Sequence, residues 1–339
     1  MKRILCVVLA VLMLCSVCLM TGCEAKTLKL GMGVVAAYGS QTDADGETNG
    51  SGEANTTVVA VLLDDSGKIV KIDLDMAQTK LGWTAEGVGV VTDDLRTKYE
   101  KGTEYNMAAY GKKHDGSEGQ PKEWFEQADA FVETVTGKTL DEAKALMGGD
   151  GYATGDLATA GCTINVANFM TALEKAVNNA KASEATAKDV LNVGVLTTAS
   201  AKDATEEADG VVEAYTHMVA IAKNDKGDVT AAVTDAVQSK MTFDTTGAST
   251  LAATEAQTKL ELGENYGMAA YGKKHDGSEG QPKEWFEQAA AFDAALVGLT
   301  ADEFNTLMGA DGYATGDLVT AGCTIGLDEM VETAVKAAK

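Results

Sequence analysis

The sequence predicts an α+β fold made of two tandem homologous repeats, each a small β-sheet with packed helices, placed after a lipoprotein signal peptide. Three observations carry this. The segment "MAAYGKKHDGSEGQPKEWFEQA" occurs twice, at Met107–Ala128 and Met268–Ala289. The same 161-residue offset maps Gly151, Tyr152, Asp156, Cys162 and Thr163 onto Gly312, Tyr313, Asp317, Cys323 and Thr324, and self-similarity at a fixed period marks a repeated structural unit. Within each unit, short β-branched runs give way to helical spacing of apolar residues, the order expected of an α+β domain.

Lys2 and Arg3, the apolar run Ile4–Met20 and "MTGC" ending at Cys23 form a secretory signal with a lipobox. Cleavage would leave Cys23 as the lipidated N-terminus, with Met1–Gly22 as leader. Residues 23–183 and 184–339 are then the two repeats. The run is short for a membrane span. The chain has 51 acidic against 28 basic residues, a formal charge of −23, which argues against nucleic acid as a partner because phosphate neutralisation needs a basic face.

The elements follow in order. "LKLGMGVV" reads as a strand close behind the anchor. "SQTDADGETNGSGEAN", Ser40–Asn55, is polar and Gly-rich, and reads as a floppy loop. Val58–Leu63 and Ile69–Leu74, joined by "DDSGK", form a hairpin. Pro121–Val135 is a helix with Trp124, Ala128, Phe131 and Val135 on one face. "TLDE" at Thr139–Glu142 and "TADE" at Thr300–Glu303 fit capping boxes. The Gly-rich "GGDGYATGD" and the run "LATAGCTINV" come next, and helices at Ala167–Ala180 and Asp328–Ala338 close the units.

Few residue types here suit catalysis. Three histidines make a His-based metal site unlikely to form, and no CxxC, phosphate-loop, GxSxG or HExxH motif appears. Cys162 and Cys323 read as small buried residues, and His114 and His275 as surface-loop residues. The identical segments, with "AGCTI" repeated downstream, are the candidate site.

These stretches resemble the PplA-like family of extracellular flavin-bearing lipoproteins, over nearly all of the chain after the leader. The shared features are the "TGC" signal, the doubled "MAAYGKKHDGSEGQPKEWFEQA", "GLTADE" and "AGCTI". The resemblance implies two FMN groups, each joined by a flavin transferase to a threonine through a phosphoester. The acceptors would be Thr163 and Thr324, with Thr159 and Thr320 as rivals. The family pattern has Asp six residues before the acceptor and Ala just ahead of it; here Asp156 stands seven before Thr163, and Cys162 takes the Ala place. The lysines Lys112, Lys113, Lys273 and Lys274 are candidates to neutralise phosphate or reduced flavin. Tyr110, Trp124, Tyr152, Tyr271, Trp285 and Tyr313 are candidates to pack on the ring, although the two tryptophans also fit a helix core face. A threonine just before a helix should place its phosphate near unpaired backbone N–H groups.

The implied function is electron relay from a membrane quinol-linked donor to acceptors outside the cell, such as ferric iron and soluble flavins, by a protein held on the outer face of the cytoplasmic membrane through its lipid. The other reading is a non-redox surface lipoprotein that acts as a ligand-binding or adhesion module.

Overall fold

Both faces of the main strands are apolar, and the fold follows from where those faces go. In the computed structural model the described residues are 26–112, 116, 119–251, 253–272 and 283–339; the leader, Cys23, Lys113, His114, Lys273, Lys274, His275 and the side chains of Tyr110 and Tyr271 lie outside them. The elements in chain order are β1 Thr27–Tyr38, β2 Gly50–Leu63, β3 Ile69–Trp83, β4 Gly89–Val91, α1 Lys98–Lys101, α2 Met107–Tyr110, α3 Trp124–Val135, α4 Leu140–Lys144, α5 Gly155–Thr159 and α6 Ala167–Asn179. They continue with β5 Lys181–Thr186, β6 Val190–Lys202, β7 Gly210–Lys223, β8 Val229–Phe243, β9 Glu255–Ala256, α7 Lys259–Leu262, α8 Met268–Tyr271, α9 Trp285–Leu296, α10 Gly316–Thr320 and α11 Asp328–Ala337.

The protein is α+β. One antiparallel sheet runs β4-β3-β2-β1-β5 with β9 also paired to β1, and a second runs β6-β7-β8. The sheets stack face to face. Leu30, Met32, Val34, Val58, Ala60 and Leu62 of the first meet Leu191, Val195, Met218, Ala220 and Val237 of the second. The alternate residues of the first sheet, among them Val35, Val59 and Val61, face outward onto α3 and α6 through Trp124, Phe131, Phe169 and Leu173. Val219 and Ile221 likewise pack under α9 and α11. The order is helices, sheet, sheet, helices, and it explains the unbroken apolar run Val58–Leu63: a strand covered on both sides has no polar alternate.

Gly33 and Gly194 allow the helices to lie close on β1 and β6. A Cβ at either position would overlap a helix carbonyl oxygen, of Ala172 or Thr333. Two lysines strap the halves together. Lys175 donates to Glu261 (2.6 Å) and to the Val34 carbonyl (2.8 Å), while Lys336 donates to Glu100 (2.8 Å) and to the Val195 carbonyl (3.2 Å). At one end Trp83 stacks on Phe243, centroids 5.3 Å apart.

Several boundaries differ from the sequence reading. The Ser40–Asn55 loop is shorter than expected, because β2 begins at Gly50, which pairs with Trp83. A side chain on Gly50 would collide with that indole ring. The strand β5 crosses the expected 183/184 boundary and pairs with β1. The hairpin turn is as expected: Asp64 Oδ1 accepts from the N–H groups of Ser66 (2.8 Å) and Lys68 (3.0 Å), and Gly67 takes φ +79°. Both capping boxes form, but Thr300 opens a 3₁₀ segment, Ala301–Leu307, rather than an α-helix.

Candidate functional site

The doubled segment and the "AGCT" run meet at Thr163. This residue follows α5, where Gly161 at φ +98° turns the chain back so that Thr163 faces the start of α3. Its N–H donates to Gln127 Oε1 at 2.8 Å. Its hydroxyl lies 3.0 Å from Gln120 Oε1 and 3.3 Å from Gln127 Oε1; one proton serves one acceptor, and Gln120 is the nearer.

Gln127 is fully buried on the apolar face of α3, and all of its amide is used. Its Nε2 donates to the Lys122 carbonyl at 3.0 Å and approaches Met107 Sδ at 3.6 Å. A buried amide left unpaired is costly, so these bonds fix its orientation. Lys122 Nζ in turn donates to the Ala160 carbonyl at 3.0 Å, against Gly161. Glu123 caps α3 and accepts from Met107 N–H at 2.8 Å. Gln120 donates to the Lys112 carbonyl.

The same bonds recur around Thr324. Its N–H donates to Gln288 Oε1 at 2.8 Å, and Gln288 Nε2 donates to the Lys283 carbonyl at 2.9 Å and approaches Met268 Sδ at 3.4 Å. Lys283 Nζ donates to the Ala321 carbonyl at 2.8 Å.

A cavity of about 580 Å³, within the size range of small-molecule sites, has walls that include Glu53, Gln78, Arg96, Tyr105, Met107 and Gly111; Thr163 does not line it. Met107 and Gly111 join it to the threonine: Met107 touches Gln127, and a Cβ on Gly111 would stand 2.9 Å from Gln120 Cγ. One wall is a polar chain. Tyr105 donates to Gln78 Oε1 (2.9 Å), and Gln78 donates to Glu53 (2.9 Å). In the other half Tyr266 donates to Gln238 (3.3 Å) and Gln238 to Glu213 (2.9 Å).

Behind that wall sits a buried cation. Lys98, 7 % exposed, holds its ammonium 4.6 Å from the Tyr105 centroid and 5.3 Å from the Trp124 centroid. Lys259 does the same over Tyr215, Tyr266 and Trp285 and donates to the Tyr215 hydroxyl at 2.6 Å. Burial pushes both lysines down to about 8, while the aromatic faces favour the charged form.

Of the sequence-flagged residues, Thr163 and Thr324 are held by the doubled segment. Trp124 and Trp285 are each 2 % exposed; Trp124 meets Tyr99 and Phe169 edge-on at 5.4 and 5.9 Å. Both indoles are core, with no open face for a flavin ring. Tyr152 and Tyr313 are half-buried and pair by backbone with Asn165 and Gly326. Lys112 is exposed. The rival Thr159 is exposed and bonds the Gly155 carbonyl within its own helix. The first N–H of α6, that of Ala167, donates to Asn165 Oδ1 at 3.0 Å and not to Thr163. Cys162 and Cys323 are fully buried free thiols, both pushed up to about 11 by burial. Among the described residues no group of His, Cys, Asp or Glu is placed to hold a metal, and no helix is long and apolar enough to cross a membrane.

Sequence reasoning missed Gln127, Gln288, Lys122 and Lys283 as site residues. The signal was present: Gln127 falls on the Trp124–Ala128–Phe131 stripe, where a polar residue needs buried partners.

No family model matches the chain. It is 32% identical over 133 residues to a chlorophenol reductase from Desulfitobacterium hafniense, a match covering 35% of this chain and 38% of that protein. The chain thus spans well under half the length of this relative. No solved structure matches.

Proposed function

We propose that the protein is an extracellular electron carrier, lipid-anchored through Cys23 and built from tandem homologous FMN-binding-type repeats, 23–183 and 184–339. FMN would be joined through phosphoesters to Thr163 and Thr324 by a flavin transferase. A membrane quinol-linked donor would reduce it, and acceptors outside the cell, such as ferric iron or soluble flavins, would reoxidise it. The observation that carries the reading is the threonine itself: a half-buried hydroxyl held by the amides of the doubled segment, with the same backbone-to-glutamine bond 161 residues later.

The residues present fit such a group. The neighbouring Cys162 is fully buried and Thr163 only half-buried, so the hydroxyl is the more accessible acceptor. Esterification removes the hydroxyl proton and with it the bond to Gln120. Gln120 is half-buried, and turning its N–H side towards a phosphate oxygen would exchange its bond to the Lys112 carbonyl for one to the phosphate. Gln127 is fixed by the Thr163 N–H and the Lys122 carbonyl, so it keeps the acceptor backbone in place. Lys122, 3.0 Å from the Ala160 carbonyl and close enough to Cys162 to act on its thiol, would carry phosphate charge. A flavin in this place would supply reversible one- and two-electron transfer. The buried Lys98 and the Tyr105–Gln78–Glu53 chain would set the polarity of the cavity wall. The matched relative is named for a reduction, which is compatible with a redox role.

Co-expression with a flavin transferase tests this by intact mass and visible spectrum. Two added FMN groups are expected, one lost with Thr163→Val and the other with Thr324→Val. A colourless, unmodified product would overturn the proposal and leave the binding-module reading.

A further inference from the structure

The two junctions between the sheets differ in one respect. At one junction Val193 N–H of β6 donates across the gap to Asp73 of β3 at 2.7 Å, and within the first half Tyr99 of α1 donates to Asp129 of α3 at 2.6 Å. The matching positions at the other junction hold Leu260 for Tyr99, Ala290 for Asp129 and Val233 for Asp73. The replacements remove the bridging carboxylate of Asp73 and the Tyr99–Asp129 pair. There, between β1, α6 and the α7–α9 face, a cavity of about 840 Å³ is open, floored by Met32, Val233, Leu260, Phe286 and Ala290.

A second exchange puts charge into this cavity. In the first half Leu74 and Val132 are apolar; their counterparts are Thr234 and Asp293. Asp293 accepts from the Thr234 hydroxyl at 2.6 Å and from its N–H at 3.2 Å, which orients the carboxylate at the cavity wall. Burial pushes its carboxyl up to about 6, against the opposing pull of the Thr234 bonds and of Lys181, so a further cation at the carboxylate would favour its ionised form. The lining carries Asp235, Glu261, Glu264 and Asp293 against Lys175 and Lys181; Lys175 is paired with Glu261 at 2.6 Å and burial holds Asp235 towards its neutral form, which leaves Glu264 and Asp293 facing Lys181.

We propose that this cavity binds a small organic cation with an apolar body, an aryl- or alkylammonium, its nitrogen meeting Asp293 and its body lying over Met32, Leu260 and Phe286. The size suits one such molecule, the floor supplies apolar contact, and the charge surplus selects the sign. The site does not depend on flavin attachment.

Titration of the full chain with phenethylamine at neutral pH, followed by calorimetry, tests this, with 2-phenylethanol as the neutral probe and 3-phenylpropionate as the anionic one. The amine should bind at least about tenfold more tightly than the alcohol, a difference of about 1.4 kcal/mol, and the anion more weakly than either. The pair Thr234→Leu and Asp293→Val, copying Leu74 and Val132, should erase the amine's preference while the melting temperature holds. The pair Leu260→Tyr and Ala290→Asp, copying Tyr99 and Asp129, should abolish binding of the amine and the alcohol. Equal affinity for amine and alcohol, amine binding that survives this second pair, or no saturable binding at about 10 mM would each overturn the proposal.

Discussion

Replacing Gln127 by leucine removes the acceptor of the Thr163 N–H (2.8 Å) and the donor to the Lys122 carbonyl (3.0 Å) while keeping the volume of the side chain. A backbone group buried without a partner costs about 1–3 kcal/mol. Thr163 and Lys122 are both half-buried, so water reaches part of each and the lower end applies: about 2–3 kcal/mol for the two. For a chain of this size that is a fall in Tm of roughly 3–4 °C. Gln288→Leu breaks the matching bonds to Thr324 N–H (2.8 Å) and the Lys283 carbonyl (2.9 Å) and should cost the same. Thermal melts of the parent, each variant and the double variant give the comparison. A loss below about 0.5 kcal/mol, the level of an ordinary surface change, would refute the view that these amides are the fixed points of the two sites. So would a large loss at one glutamine with none at the other.

Burial pushes the Asp235 carboxyl up to about 7, above its unfolded value of about 3.9. The folded state therefore holds the proton more tightly, and this contribution to stability is full below about pH 4 and lost as pH rises through about 7. Asp235→Asn keeps the oxygen that accepts from Ala236 and Leu260 N–H, so it should melt above the parent at pH 8, by on the order of 2–4 kcal/mol, and not at pH 4. The opposite drift from His217, pushed down to about 3, is common to both proteins and cancels in the difference. Gly33→Ala and Gly194→Ala place a Cβ against the carbonyls of Ala172 and Thr333 and should each lose about 1–3 kcal/mol; Gly149→Ala, which meets nothing within 4 Å, should fall within about 0.5 kcal/mol of the parent. Lys175→Met and Lys336→Met should each cost roughly 0.2–1 kcal/mol, less at high salt and additively when combined; a double loss exceeding the sum in urea titration would mean that the straps act together.

Local signals in the sequence were readable where the physics is local. The "DDSGK" turn, the Thr139 box and the helices at Trp124 and Ala167 depend on neighbours within a few residues, and each lies within a few residues of its expected place. The strands β5 and β9 depend on a partner far along the chain, β1, and no nearby pattern announces them. That both faces of the sheets are covered was implied by Val58–Leu63, yet a short apolar run fits several burials. At the site, Thr163 could be singled out because its sequence repeats. Gln127 repeats too, but a helical glutamine reads as surface until the stripe around it is seen to be core. Trp124 is the converse: its ring suits a ligand, and its place on that same stripe consigns it to the interior.

The two straps, Lys175 to Glu261 and Lys336 to Glu100, are reciprocal contacts of the kind that normally join separate identical subunits. In a dimer of identical chains every substitution appears at both junctions at once, so a change that opens one opens the other. One continuous chain lifts that constraint. Asp73 can stay a bridge while Val233 lines a hollow, and each junction is free to drift or specialise without risking the contact that holds its opposite together.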